Sequence, residues 1–120
     1  MTKICTSIGQ SKKLLELGLD PSTADMCYPH FIRHGADTYN EIPEIAEDIN
    51  YPYEMPCWSL TALLELIPLY TLEQTTDGKV IAVSEIGQYS KCSEACNNPI
   101  DAAFEIVCWL IEQKHIKVNK

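Results

Sequence analysis

The stretch that most restricts the fold is Asn98-Pro99-Ile100-Asp101-Ala102-Ala103-Phe104-Glu105-Ile106-Val107-Cys108-Trp109-Leu110-Ile111-Glu112-Gln113-Lys114. Its start is marked three times. Asn98 supplies a side-chain oxygen for a free N–H of the first turn. Pro99 takes the first helical position, where a missing N–H costs nothing. Asp101 stands at the third, favoured by the positive end of the helix dipole. Lys114 and Lys117 lie near the negative end. At about 100° per residue, Ile100, Phe104, Val107, Cys108 and Ile111 make one apolar stripe. Ala103 and Leu110 widen it. Ala102, Ile106 and Trp109 carry it almost to the far side, leaving Asp101, Glu105 and Glu112 as the wet edge. A surface helix ordinarily buries a single stripe. This one requires cover on two sides, either from its own domain or, along the Ile106–Trp109 flank, from another chain.

The rest of the sequence predicts the elements that provide cover. Ser7 to Gly18 reads as a short helix. Ser7 and Gln10 have capping-box spacing, and Gly18 followed by Leu19 suits a left-handed cap folded back on Leu14. Asp20-Pro21 restarts a helical turn, and Met26 to Arg33 reads as an edge strand, because Pro29 is tolerated there. In Trp58 to Pro68, Ser59 is the N-cap and Trp58 with Leu63 forms a hydrophobic staple; Pro68 ends the helix. Leu69 to Ile86 reads as a hairpin on a two-residue Asp77-Gly78 turn. Leu72 then opposes Val83, Gln74 opposes Ile81, and Tyr70, Leu72, Ile81 and Val83 share the inner face. A lone hairpin is marginal, so a third strand is expected near Tyr28–Arg33. Gly87 to Asn97 reads as a polar connector. The prediction is one domain over residues 1–120 of class α+β: a small antiparallel sheet around a β-hairpin, packed by two short helices and one long C-terminal helix.

Charge and punctuation set the middle segment apart. The net charge is −8, and no Lys or Arg stands between Arg33 and Lys79, an interval that holds nine carboxylates. Direct binding to a nucleic-acid backbone needs a basic patch, which this chain lacks. From His34 to Pro56 periodicity fails, while Tyr39, Tyr51, Tyr53 and Met55 recur among acids. This reads as a long ordered loop, a place where functional sites concentrate, although the aromatics serve equally as anchors on the core. The acidic surface reads as a solvated face, as a docking face for a basic partner, or as a nucleic-acid mimic.

The search for chemistry yields one permissive constellation. His30 and His34 are four residues apart, as are Cys92 and Cys96, and together they have the donor types of a zinc site. Pro29 and Gly35 argue against a helix there, and no Cys-x₂-Cys knuckle occurs. With no apolar secretory core in Met1 to Gln10, a cytoplasmic location and free thiols are expected. Cys57 and Cys108 read as core fillers, and Cys5, Cys27, Cys92 and Cys96 as candidates for exposure. No phosphate loop, nucleophile elbow or metalloprotease signature is present. No cofactor is implied, and no apolar run is long enough to span a membrane.

Three segments together, Gly18 to Asp25, Pro56 to Pro68, and Asn98 to Phe104 with Trp109-Leu110, resemble a group of small prophage and mobile-element proteins of gut bacteria whose function is unknown. The resemblance implies a mobile-element origin and transfers no catalytic residue. The resulting expectation is a non-enzymatic protein-interaction module, binding a protein partner or itself, with Trp109, Ile106, Tyr51 and Tyr53 at the interface. The alternatives are a small metal-dependent or thiol enzyme using His30, His34, Cys92 and Cys96, and an acidic mimic of nucleic acid.

Overall fold

The computed structural model describes residues 3–116 and has an α+β fold. Its helices are α1 (Ile8–Glu16), α2 (Leu60–Glu65) and α3 (Pro99–Glu112). The strands are β1 (Met26–Tyr28), β2 (His30–Arg33), β3 (Ala36–Tyr39), β4 (Glu44–Ile45), β5 (Met55–Cys57), β6 (Tyr70–Gln74), β7 (Val80–Ile86) and β8 (Tyr89–Cys92). They form three antiparallel sheets, ordered β4-β1-β5, β2-β3 and β6-β7-β8.

Each helix begins and ends through local chemistry. On α1, Ser7 accepts from the Gln10 N–H at 3.1 Å and the Gln10 side chain accepts from the Ser7 N–H at 3.0 Å. Its far end is a Schellman closure: Leu19 N–H donates to the Leu14 carbonyl and Gly18 N–H to that of Leu15, each at 3.0 Å. Gly18 has φ 99°, where a side chain would be strained. On α3, the Asn98 side chain accepts from the Asp101 N–H at 2.9 Å. The same closure recurs at its C-terminus, with His115 N–H on the Leu110 carbonyl at 2.8 Å and Lys114 N–H on that of Ile111 at 3.0 Å. Here the left-handed residue is Lys114, at φ 63°. Lys117 lies outside the described residues.

The two-sided demand of α3 is met largely by its own chain. β7 packs on one side and α2 on another. Ala102, Ala103, Ile106, Val107 and Leu110 have no exposed surface. Each large aliphatic side chain so buried contributes about 1.5–3 kcal/mol. Trp109 and Phe104 stay partly exposed at the edge of this core. Trp58 fills the space between α1, α2 and α3. It is fully buried, and its indole N–H donates to the Thr23 hydroxyl at 2.9 Å.

Two sheet predictions are corrected. Thr75 N–H reaches the Lys79 carbonyl at 2.8 Å, so the β6–β7 loop has three residues ending in left-handed Gly78, not two. The extra residue shifts the register, giving Leu72↔Ala82 and Gln74↔Val80. A one-residue shift exchanges the faces of a strand. Ala82 and Ser84, not Ile81 and Val83, therefore meet the core, and both are buried. Their small size lets β7 lie close under α3. The third strand is β8, within the predicted polar connector, and not the Tyr28–Arg33 segment. Tyr28 belongs instead to β1, the centre of the first sheet, and Pro29 separates it from β2.

Candidate functional site

Residues 30–54 form a lobe that joins the rest of the fold through β4 on β1 and through Ile49 on the main core, and that leaves the β2–β3 hairpin exposed. β2 and β3 pair with each other alone, turning at His34-Gly35, whose φ values of 53° and 78° give the backbone a tight hairpin turn needs. The register puts His30, Ile32, Asp37 and Tyr39 on one face and Phe31, Arg33, Ala36 and Thr38 on the other. The root is tied down at several points. The His30 ring stacks on Tyr53 with centroids 4.2 Å apart, and His30 Nε2 lies 3.0 Å from Asp37 Oδ1. Tyr39 donates to the Pro52 carbonyl at 2.5 Å. Asn40 N–H donates to the Pro29 carbonyl at 2.8 Å and closes the hairpin base. Between hairpin and loop lies an open cavity of about 340 Å³ lined by His30, Asp37, Thr38, Tyr39, Pro52 and Tyr53. An imidazole beside a carboxylate is oriented, and the lining adds the hydroxyls of Thr38, Tyr39 and Tyr53.

The sequence-predicted site residues separate into those that meet and those that do not. His30 sits on β2 at the hairpin root and His34 in the turn, neither of them on a helix. Four residues along a strand span about 13 Å, too far for one metal ion. Cys92 ends β8 on a different sheet, exposed, and Cys96 forms a bridge with Val80 beyond it. Among the described residues no three His, Cys, Asp or Glu side chains converge in a way that could hold a metal. Of the predicted interface residues, Tyr51 and Tyr53 are open to solvent at 44% and 56% exposure. Trp109 is half-buried, with Lys91 Nζ 5.7 Å above its ring. It lines a shallow groove with Phe104, Lys13 and Glu112. Ile106 is corrected: its 0% exposure places it wholly inside its own chain, covered by the elements packed on α3.

Cys5 and Cys27, expected as candidates for exposure, are buried. The β1–β5 register explains their separate fates. Met26 pairs with Cys57 and Tyr28 with Met55, so these four share one face, while Cys27 and Pro56 occupy the other. The segment before α1 crosses the first face, fixed by Thr6 N–H on the Trp58 carbonyl at 2.9 Å and Trp58 N–H on the Thr6 hydroxyl at 3.0 Å. It brings Cys5 into a cluster with Met26, Tyr28, Met55 and Cys57. Cys5 Sγ lies 3.6 Å from the Tyr28 hydroxyl, which donates to the Thr6 carbonyl at 2.7 Å. The Cys57 thiol in this cluster favours a Cys5 thiolate more than burial opposes it, bringing Cys5 down to about 7. The same pairing, with burial, pushes Cys57 up. Burial pushes the isolated Cys108 up to about 11. Beside Cys5 and Tyr28 opens an apolar cavity of about 540 Å³, with Ile4, Ile42 and Pro43 among its walls. The sequence clue to this cluster is the alternation Met26-x-Tyr28 against Met55-x-Cys57; nothing local to Cys5 adds it to them.

The fold defines the class, a small α+β protein with an exposed β2–β3 hairpin. Compared with family models, curated proteins and solved structures, the chain matches none. No helix among the described residues is long and apolar enough to cross a membrane.

Proposed function

We propose that this protein is a non-enzymatic interaction module and that residues 30–54 are its docking lobe, built for a partner segment carrying both basic and apolar side chains. One observation carries the reading: the lobe combines exposed apolar groups with six carboxylates against a single arginine. Phe31, Ile32, Ile42, Ile45, Tyr51 and Tyr53 are all exposed, with Ile45 at 86% and Ile42 at 72%. Asp37, Glu41, Glu44, Glu47, Asp48 and Glu54 are interspersed with them, and no Lys or Arg follows Arg33 within the lobe. Exposed apolar groups contribute affinity when covered, and complementary charge steers the encounter and selects the partner. Pairing with a second copy through this face opposes like charge to like charge. The resemblance to prophage proteins gives the module a mobile-element setting.

The test is fluorescence anisotropy with labelled peptides: one Lys/Arg-rich with Leu and Phe anchors, one equally basic without anchors, one charge-reversed. Binding of the first alone, weakened by salt and lost in the Phe31→Ser/Ile32→Ser double variant, is the expected result. Equal binding of the anchorless peptide, no binding at all, or full binding by the double variant would overturn the reading.

A further inference from the structure

We propose that Cys5 and Cys57 form a thiol–disulfide exchange pair that takes low-molecular-weight disulfides through the apolar cavity beside Ile42 and Pro43. Four observations place it there. The strand register turns Cys57 and Tyr28 to the face crossed by Cys5 and turns Cys27 away. The two thiols belong to one buried cluster with Met26, Tyr28 and Met55. Cys5 lines the cavity together with Tyr28, whereas Cys57 lies behind it with no exposed surface. The segment carrying Cys5 is anchored on both sides of Trp58, so the pair is held in place by backbone. Cys5 therefore borders the cavity and Cys57, fully buried, does not, the order that an attacking and a resolving thiol require.

The exchange balances. Cys5 gives its proton to solvent, and its thiolate attacks one sulfur of the incoming disulfide. That S–S bond breaks, one thiolate leaves, and a mixed disulfide forms on Cys5. Cys57 sulfur then attacks Cys5 Sγ, its proton passing to the second departing thiolate. Two cysteine thiols are oxidised to one intramolecular disulfide, and the incoming disulfide is reduced to two thiols. The depressed titration of Cys5 supplies thiolate near neutral pH.

The probe is oxidised glutathione at graded ratios to the reduced form, added to the full chain and followed by acid quench, denaturing alkylation and peptide mapping. A Cys5–Cys57 cross-linked peptide should appear, approaching one per chain. In Cys57→Ser, glutathione should remain trapped on Cys5. Native alkylation of the wild type by iodoacetamide at pH 7 should label Cys5 at least about tenfold faster than Cys108. This last measurement serves if the serine variant fails to fold. The proposal is overturned if exposed Cys92 collects glutathione while Cys5 and Cys57 both stay alkylatable after denaturation. Trapping of the adduct elsewhere in a folded Cys57→Ser, or equal labelling of Cys5 and Cys108, also overturns it.

Discussion

Ser59 makes three bonds, two through its hydroxyl and one through its backbone N–H. Its hydroxyl oxygen accepts from the Ala62 N–H at 3.2 Å and caps α2; the same hydroxyl donates to Asp25 Oδ2; its own N–H donates to Asp25 Oδ1 at 2.9 Å. A helix of six residues cannot hold itself in water, so this clasp fixes α2 against the turn that precedes β1. Ser59→Ala removes the cap and one partner of a part-buried carboxylate, and should cost about 1–2 kcal/mol in urea unfolding; a loss under half of that would show that packing around Trp58 alone places α2. Lys114 makes the opposite case. It occupies the left-handed position that closes α3, at φ 63°, with a β-carbon that disfavours the conformation. Replacing it with glycine relieves about 1–2 kcal/mol of strain and adds about 0.5–1 kcal/mol of unfolded-state entropy. Lys114→Gly should therefore stabilise the protein by about 0.5–1 kcal/mol, read as a higher denaturant midpoint with unchanged slope.

At the scale of elements, the helix starts were legible in the sequence and the sheet partners were not; α2 already ends at Glu65, before Pro68. Ser7 with Gln10, Ser59 with Ala62, and Asn98 with Asp101 each act over three residues, so their chemistry is visible in the chain. The register of β6 on β7 depends on whether the loop at Asp77-Gly78 holds two residues or three, and that single residue inverts which side chains face α3. β8 was hidden because Tyr89-Ser90-Lys91-Cys92 is mostly polar, and the hairpin at His34-Gly35 because His-Gly is not among the usual two-residue turn pairs. The Cys5–Cys57 cluster was invisible for a different reason: it requires knowing that the segment before α1 crosses the β1–β5 sheet. The observed register has a direct test. Ala82 is 1% exposed beneath α3, so Ala82→Leu should overpack and cost about 1–3 kcal/mol. Ile81→Ala, on the other face, should cost less; the reverse order would restore the two-residue turn. A second element-level link joins the termini of α1 and α3. Lys3 Nζ lies 2.7 Å from Asp101 Oδ1, and Gln10 and Asn98 donate to the same carboxylate. Partial burial works against the charged form, but these bonds together outweigh it and hold Asp101 below its ordinary value of 3.8. Because the folded value is the lower one, the stabilisation is complete above about 4 and is lost as pH falls through the folded value. Asp101→Asn should lower the thermal midpoint at pH 7 and narrow its difference from wild type at pH 3; a constant difference would show that the charge contributes nothing.

At the scale of the molecule, the described residues extend 51 × 35 × 20 Å, an elongated shape for so short a chain. The cause is an uneven distribution of apolar cover. The main core gathers Trp58, Leu63, Ile106 and Leu110 with α1 and β7 around α3, and a smaller one fills the space between the α1 segment and β1–β5. The smaller one touches the hairpin only at Tyr39, and the residues from Phe31 to Thr38 are all exposed. A two-stranded hairpin without a covered face is marginal in isolation. What holds this one is its root: the His30–Tyr53 stack, the Tyr39–Pro52 hydrogen bond and the Asn40–Pro29 closure, all at one end. The tip can therefore open while the base stays in place, and opening it costs far less than unfolding the protein. In native-state hydrogen exchange, the hairpin amides between Phe31 and Thr38 should be protected at least about a hundredfold less than those of α3 from Ala103 to Leu110. A bound basic, apolar peptide should raise hairpin protection and leave α3 unchanged, because it supplies the missing cover. Tyr53→Ala should lower hairpin protection in the free protein by removing the stack at the root. Hairpin amides as slow as those of α3 in the free chain would mean that the lobe is already satisfied, and the case for a partner there would fail with it.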